Sequence, residues 1–167
     1  TKELKIKNIE YMQADILDMN EFDSGFDIIE SSGVIHHMEN PLLGWEILTG
    51  LLKDGGLMNI GLYSKIARRN IFLIRKEIAK QRISSGKIAI KLFREKILKS
   101  NKKHHRDLLG MDDFFSLSEV KDLLFHVQEK NFSIPLIINS LGQLNLKFCG
   151  FGDKTITKKF IKINSCN

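Results

Sequence analysis

At 167 residues, with 43% hydrophobic side chains and two prolines, the chain has the size and composition of one folded soluble domain. Its apolar runs are all shorter than the roughly 20 residues that a membrane-spanning helix needs, so we expect no transmembrane segment in this chain. Cys149 and Cys166 have neither zinc-ligand nor disulfide-framework spacing, so we expect reduced thiols and a cytoplasmic location.

The formal net charge is +6, and the positive charge is concentrated in one segment. Residues 65–106 contain 15 Lys and Arg against two acids, Glu77 and Glu95, whereas the rest of the chain has 11 basic and 18 acidic residues. A solvated face is the ordinary explanation for such a run. The alternative is an anionic partner: nucleic acid, a membrane surface, a phosphate-bearing substrate or the acidic remainder of the protein.

The first 64 residues predict a strand–helix–strand unit. The run IEYMQADIL, which includes Asp15, predicts a buried strand, and FDIIES predicts the next one. Asn40 and Pro41 are typical of the cap and first position of a helix. Gly55 and Gly56 indicate its end, and LMNIGLY predicts another strand. Because a helix connects the two later strands, they should pair in parallel.

The remainder is predicted to be mainly helical. Residues 65–106 should form two helices, broken at Ser84-Ser85-Gly86, and each has an apolar stripe at helical spacing. Residues 101–105 are predicted to be a polar exit from the second helix. A capping box of Ser116 and Glu119 predicts a further helix with the core-facing stripe Val120, Leu123, Leu124 and Val127. Pro135 then opens a helix through Leu144, LKFCGF predicts a strand, and the structure of residues 153–167 stays open.

Polar side chains follow the predicted strands, at the edge where open parallel sheets bind ligands. They are Asp15 after the first strand, Ser31, Ser32, Gly33, His36 and His37 after the second, and Tyr63 after the third. A structural explanation competes in each case, since strand ends favour turn residues and Tyr63 could be an interior aromatic. The adjacent histidines should point in different directions and lack a third ligand at useful spacing, so we predict no metal site.

His126 and Glu129 lie in the string FHVQE, and a helical wheel places both opposite the apolar stripe. A solvated face is the favoured interpretation. The alternative turns this face toward a substrate cleft, with His126 as a base or an orienting group.

The strings QADI, SSGVIHHM and LLKDGG, in this order, resemble the second half of the Rossmann-like core of class I S-adenosylmethionine-dependent methyltransferases. The resemblance implies that Asp15 hydrogen-bonds the adenine amino group and that Ile16 contacts the ring. It implies cofactor contacts for Ser31, Ser32, Gly33 and His36, catalytic roles for His37 and His126, and substrate contacts for Tyr63 and Glu129.

The strings GLYSKIAR, SEVKDLLFHVQEKNFSIP and LKFCGF are similar to a methyltransferase subgroup that is often fused to tetratricopeptide repeats. The resemblance implies an α/β fold in three parts. Residues 1–64 would be the second half of the cofactor-binding core, residues 65–106 a basic helical insertion or lid, and residues 107–167 the C-terminal helices and sixth strand of the same domain.

The family's GxGxG loop and its ribose-binding acid do not occur in this sequence. We therefore expect a truncated catalytic domain that, in the full-length protein, transfers a methyl group from S-adenosylmethionine to an unidentified acceptor. One rival is a non-catalytic methyltransferase-like module that binds an anionic partner through its basic helices. A second, a nicotinamide-dependent oxidoreductase, is disfavoured by SSGVIHH and LLKDGG.

Overall fold

The computed structural model describes residues 7–22, 25–126 and 128–164. It has an α/β architecture with a two-stranded parallel sheet and helices. The two strands are β1 (Phe26–Ser32) and β2 (Leu52–Gly61). The α-helices are α1 (Pro41–Gly50), α2 (Arg69–Lys80), α3 (Lys87–Leu98), α4 (Lys103–Leu108), α5 (Leu117–Phe125), α6 (Ile134–Gln143) and α7 (Lys154–Asn164). Short 3-10 helices occur at Ile16–Glu21, Ile35–His37 and Asp112–Phe115.

The predicted strand–helix–strand unit is confirmed for β1, α1 and β2. The strands pair in parallel, with Glu30 opposite Asn59 and Ser32 opposite Gly61. Asn40 caps α1, because its side chain accepts a hydrogen bond from the Leu43 amide, and Pro41 occupies the first turn. Helix α1 covers one face of β1 through a small apolar cluster that contains Ile29, Leu48 and Leu51.

Two predictions about this half are wrong. The run from Ile9 to Asp15 is not a strand but irregular chain, and Ile9, Tyr11 and Met12 are largely exposed. Apolar residues form a strand only where a neighbouring strand takes their hydrogen bonds, and within the described residues β1 pairs with β2 alone.

The glycine pair Gly55-Gly56 does not end α1 either, because the helix stops at Gly50 and β2 begins at Leu52. The pairing shifts register between Phe26 and Ile28, and Gly55 lies in the corresponding irregular part of β2 with φ +76°. That left-handed backbone conformation explains the glycine.

Helices α2 and α3 confirm the predicted pair and its break near Ser84. The predicted stripes are the buried faces: Ile71, Ile74 and Ile78 on α2, and Ile90, Phe93 and Ile97 on α3. These side chains share one apolar core with residues of α4, the Asp112–Phe115 turn and α5. The helix start predicted at Ser116 is also confirmed, since the Ser116 hydroxyl accepts from the Glu119 amide and caps α5. Val120, Leu123 and Leu124 are buried as predicted, and Val127 lies outside the described residues.

The predicted polar exit at residues 101–105 is wrong from Lys103 onward, where α4 begins. A polar cluster fixes α4 against α2: Glu77 Oε1 accepts hydrogen bonds from Lys102 Nζ at 2.8 Å and from His104 Nε2 at 2.7 Å. Burial alone would raise the pKa of Glu77, but these two hydrogen bonds and the charges of His105 and Lys102 outweigh it and lower the pKa to about 2.

At the C-terminal end, α6 confirms the helix predicted from Pro135. The string LKFCGF, by contrast, is irregular chain rather than a strand, with Phe148 and Phe151 more than half exposed. As with Ile9–Asp15, its sequence suits a strand, but no neighbouring strand pairs with it in the described structure. Residues 154–164, whose structure the sequence left open, form α7. None of the described helices is long and apolar enough to cross a bilayer.

Candidate functional site

The predicted site residues gather at the edge of the sheet where both strands end. Because β1 and β2 are parallel, their carboxyl ends lie side by side, and Ser32 pairs with Gly61 there. His36 and His37 lie in the Ile35–His37 turn just after β1, and Tyr63 lies just after β2. The sequence alone placed these residues after strands, and the structure brings them together.

The end of β1 borders a cavity of about 390 Å³. Ser31 and Ile16, two residues predicted to contact a cofactor, both line this cavity together with Val34. Ser31 is 5% exposed, and its hydroxyl makes no hydrogen bond. A buried hydroxyl without a partner is uncommon and requires an explanation.

Asp15, Ser32 and Gly33 lie near this cavity in the chain but do not line it. Asp15 is exposed and caps the 3-10 helix that contains Ile16, since its Oδ1 accepts from the Leu17 amide at 3.0 Å. Gly33 has φ +77°, which favours glycine, and a Cβ at this position would meet nothing within 4 Å. Ser32 contacts Gly61 so closely that a Cβ at residue 61 would lie 2.5 Å from the Ser32 hydroxyl.

A cluster of aromatic rings forms the second part of the site. The ring centroid of His36 lies 3.9 Å from that of Tyr63 and 4.3 Å from that of His37. His37 in turn lies 4.1 Å from the ring of His126, which follows α5. Four predicted site residues from three distant segments of the chain therefore contact one another.

Backbone hydrogen bonds position the segment after α5 against the sheet. The Lys130 amide donates to the His36 carbonyl at 2.8 Å, and the Phe132 amide donates to the Tyr63 carbonyl at 2.8 Å. The Phe132 carbonyl also accepts from the Lys65 amide at 2.9 Å, which completes a parallel bridge between Ser64 and Phe132. The loop that carries His126 and Glu129 is thus fixed to the ends of both strands.

The partners of the three histidines assign their tautomers. A carbonyl oxygen only accepts, so Nδ1 of His36 donates to Gly61 and Nδ1 of His37 donates to Gln128. In the neutral form of each ring, the lone pair is therefore on Nε2. His126 is the opposite case, because its Nδ1 accepts from the Gln128 amide at 3.2 Å and its Nε2 then carries the proton. Of the two predicted catalytic histidines, His37 can accept a proton and His126 can donate a hydrogen bond.

His36 and His37 differ in burial, and this difference affects what each ring can do. His36 is 1% exposed, its Nε2 has no hydrogen-bond partner, and burial, reinforced by the charge of His37, lowers its pKa, so the ring is neutral at pH 7. His37 is only half-buried. A small acceptor molecule could therefore reach His37 more easily than His36.

Glu129 is not on the solvated face that the helical wheel favoured. Helix α5 ends at Phe125, and the Glu129 side chain is 2% exposed. Its Oε2 accepts from Arg75 Nη2 at 2.9 Å, and its Oε1 lies 3.8 Å from Arg68 Nε. Arg68 also covers the Tyr63 ring, with its guanidinium carbon 3.5 Å from the ring centroid. Arg68, the N-cap residue of α2, and Arg75 within α2 were not among the predicted site residues.

The sequence showed no third metal ligand near the His36-His37 pair, but the structure brings Asp122 and His126 close to His37. His37, His126 and Asp122 each offer a ligand atom, and these atoms lie within 4.8 Å of one another. In the tautomer assigned above, the His126 nitrogen that faces Asp122 carries a proton, which a metal ion would have to displace. The prediction of no metal at this site thus stays a prediction.

Comparisons with known proteins agree with the resemblance read from the sequence. Residues 1–60 match the family model described as a methyltransferase domain, which supports the methyltransferase resemblance for this part of the chain. An uncharacterized protein from Synechococcus sp. is 26% identical over 157 residues. The alignment covers 87% of this chain and 37% of that protein, so the chain spans little more than a third of the relative's length.

The buried carboxylate gives a stability prediction for the site. Glu129→Gln leaves two guanidinium groups without their counter-charge, and breaking one side of a buried ion pair costs about 3–5 kcal/mol. We expect the free energy of unfolding, measured by urea denaturation at pH 7, to fall by about 3 kcal/mol. Asp122→Asn is the control, because Asp122 is 57% exposed and 3.9 Å from His126, and it should change the value by less than about 0.5 kcal/mol. Equal effects of the two substitutions would contradict this assignment.

Proposed function

We propose that this chain is part of an enzyme that transfers a methyl group from S-adenosylmethionine to an acceptor. The observation that carries the proposal is the contact among His36, His37, Tyr63 and His126 at the carboxyl edge of β1 and β2. The methyltransferase-domain match supplies the reaction class. The chain covers little more than a third of its relative, so the activity of the whole protein rests on this proposal.

The residues beside the cavity fit one side of the cofactor. The Ser31 hydroxyl is a buried polar group without a partner, Ile16 offers an apolar contact, and Asp15 is exposed directly before it. Gly33 leaves open space where a side chain would stand. In this proposal these residues, with Ser32 and His36, hold S-adenosylmethionine, which supplies an activated methyl group when it is bound.

His37 is the group that best suits removal of a proton from the acceptor. Its Nδ1 donates to the Gln128 carbonyl, which orients the ring and leaves the Nε2 lone pair free. His126 and Tyr63 pack against the same ring. His126 then acts as a hydrogen-bond donor that orients the acceptor, and Tyr63 as a wall of the pocket. Glu129 contributes indirectly, because it holds Arg68 over Tyr63.

An exposed free thiol suits a reducing compartment, and Cys149 is free and exposed. We therefore propose a cytoplasmic location. The tetratricopeptide-repeat association implied by the sequence resemblance is part of the same proposal.

A substitution at Ser31 can test its contact with the cofactor without destabilising the fold. Ser31→Ala removes a hydroxyl that has no hydrogen bond in the protein, so the free energy of unfolding should change by less than about 0.5 kcal/mol. Calorimetric affinity for S-adenosylmethionine, measured on the complete protein, should weaken about two- to tenfold, which corresponds to one lost hydrogen bond. The control is Ser118→Ala, at an exposed position of α5, which should leave affinity unchanged. Unchanged affinity in Ser31→Ala would remove Ser31 from the cofactor site.

The base role of His37 predicts a loss of turnover without a loss of cofactor binding. The complete protein is incubated with methyl-tritiated S-adenosylmethionine and cell extract, and label is counted in the protein, lipid, RNA and small-molecule fractions. His37→Gln should lower the labelling rate about 10²–10⁴-fold and leave calorimetric cofactor affinity within about twofold. Ser118→Ala, at an exposed position of α5 outside this site, should label normally. Normal labelling by His37→Gln would refute the base role.

The exposed lysines of α3 favour a second function, the binding of an anionic ligand. The ion pairs of residues 65–106 involve Lys102, Arg68 and Arg75, whereas Lys87, Lys91 and Lys99 are exposed along α3 and at its C-cap. Exposed cations of one sign attract anionic ligands through long-range electrostatics. We propose that this surface of α3 binds an anionic partner or an anionic acceptor.

Retention on heparin tests this surface. Replacing Lys87, Lys91 and Lys99 by Gln should lower the salt concentration needed for elution, because fewer counterions are released on binding. The matched control replaces three exposed lysines outside the segment, Lys121, Lys130 and Lys147, which removes the same charge. If both triple variants elute alike, net charge rather than this surface governs binding, and the proposal fails.

A further inference from the structure

We propose that Glu77, His104 and His105 form a binding site for a zinc-type divalent metal ion, apart from the methyl-transfer site. Glu77 lies on α2, and both histidines lie on α4. Two imidazoles and one carboxylate are a common ligand set for zinc and neighbouring transition metals. The proposed methyl transfer uses none of these residues.

The distances suit a single ion. His104 Nε2 lies 2.7 Å from Glu77 Oε1, and His105 Nε2 lies 3.2 Å from Glu77 Oε2. One ligand atom from each residue can be chosen so that all three lie within 4.8 Å of one another. Nitrogen and oxygen ligands sit about 2.0–2.2 Å from zinc, so ligand atoms around one ion are roughly 3–4 Å apart. Small rotations of the side chains would be sufficient to reach this arrangement.

Unpartnered atoms provide independent support. His105 is 1% exposed, and within the part of the chain that the structure describes neither of its ring nitrogens makes a hydrogen bond of normal geometry. The Oε2 atom of Glu77, which faces this ring, is also buried without a hydrogen bond. Buried polar atoms without partners are rare in folded proteins, and a bound ion is one way in which such atoms are satisfied. A metal bound by Glu77 Oε2 and one nitrogen of His105 would satisfy those two atoms.

The competing explanation is a purely polar cluster in which Lys102 and His104 neutralise Glu77. It accounts for Oε1 of Glu77 but leaves Oε2 and the His105 ring unexplained. The Lys102 side chain is 56% exposed, so it can move into solvent when a metal takes its place. The surrounding basic segment repels cations, and we therefore expect micromolar rather than nanomolar affinity.

The selectivity of the site follows from its ligands. Imidazole nitrogen suits zinc, cobalt and nickel, whereas magnesium and calcium prefer sites made of oxygen alone. An ion at this position would connect α2 to α4, which are separated by the whole of α3 in sequence. Because metal binds only the folded arrangement, zinc should also raise the melting temperature.

The test is calorimetric titration of the complete protein with zinc chloride, with Cys149 and Cys166 replaced by Ser to remove thiol ligands. We expect one micromolar site that magnesium does not compete for, and a melting temperature that rises by several degrees at saturating zinc. Glu77→Gln and His104→Gln should each weaken zinc affinity at least about tenfold and abolish the thermal shift. Circular dichroism would show that both variants fold, and His104 is preferred to the fully buried His105 for this reason.

His37→Gln and His126→Gln are the matched controls, since they remove histidines from the other cluster and should leave zinc affinity unchanged. Zinc affinity that falls only in these two controls would transfer the metal to the methyl-transfer site and overturn the proposal. Failure of the parent protein to bind zinc at micromolar concentration would overturn it as well.

Discussion

The segment from His126 to Phe132 is the connection on which the candidate site depends. Its backbone donates to the carbonyls of His36 and Tyr63, and it places Glu129 between Arg68 and Arg75. Without these hydrogen bonds, His126 and Glu129 would have no fixed relation to the ends of β1 and β2. The helical part of the chain thereby takes part in the same site as the parallel sheet. The segment also fixes the histidine tautomers, because the Gln128 carbonyl accepts from His37 and the Gln128 amide donates to His126.

Glu77 and Glu129 have large structural effects because each of these acids lies among positively charged side chains. The basic segment has an excess of cations. Burial alone would raise the pKa of Glu77, but its hydrogen bonds from Lys102 and His104 and the nearby positive charge lower it. Glu77 binds α4 to α2, and Glu129 binds the loop after α5 to α2. The apolar stripes of α2 and α3 provide the driving force for folding, since these helices share one core with α5. Arg68 and Arg75 turn inward toward Glu129, whereas Lys87, Lys91 and Lys99 remain exposed.

The sequence predicted features that depend on neighbours along the chain and failed where distant residues decide. Asn40, Ser116 and the stripe of Ile71, Ile74 and Ile78 were predicted correctly, because caps and helical spacing are local properties. The strands predicted at Ile9–Asp15 and in LKFCGF were wrong, since a strand also requires a pairing partner, which local sequence does not specify. The gathering of His36, His37, Tyr63 and His126 was foreseen only in part. The rule that ligands bind at the carboxyl ends of parallel strands located His36, His37 and Tyr63. The contact with His126 depends on a bridge between Ser64 and Phe132.

The chain contains two His-His pairs, and their surroundings give the same dipeptide different chemistry. At His36-His37, backbone carbonyls accept from both Nδ1 atoms, so the neutral form of each ring has its lone pair on Nε2. At His104-His105, a carboxylate lies against both rings and no backbone carbonyl orients the buried His105. A carbonyl fixes which nitrogen carries the proton, which suits proton transfer. A carboxylate adds negative charge and a third ligand atom, which suits a cation. Sequence could not distinguish the pairs, because the distinguishing partners, Gly61, Gln128 and Glu77, come from other elements of the fold.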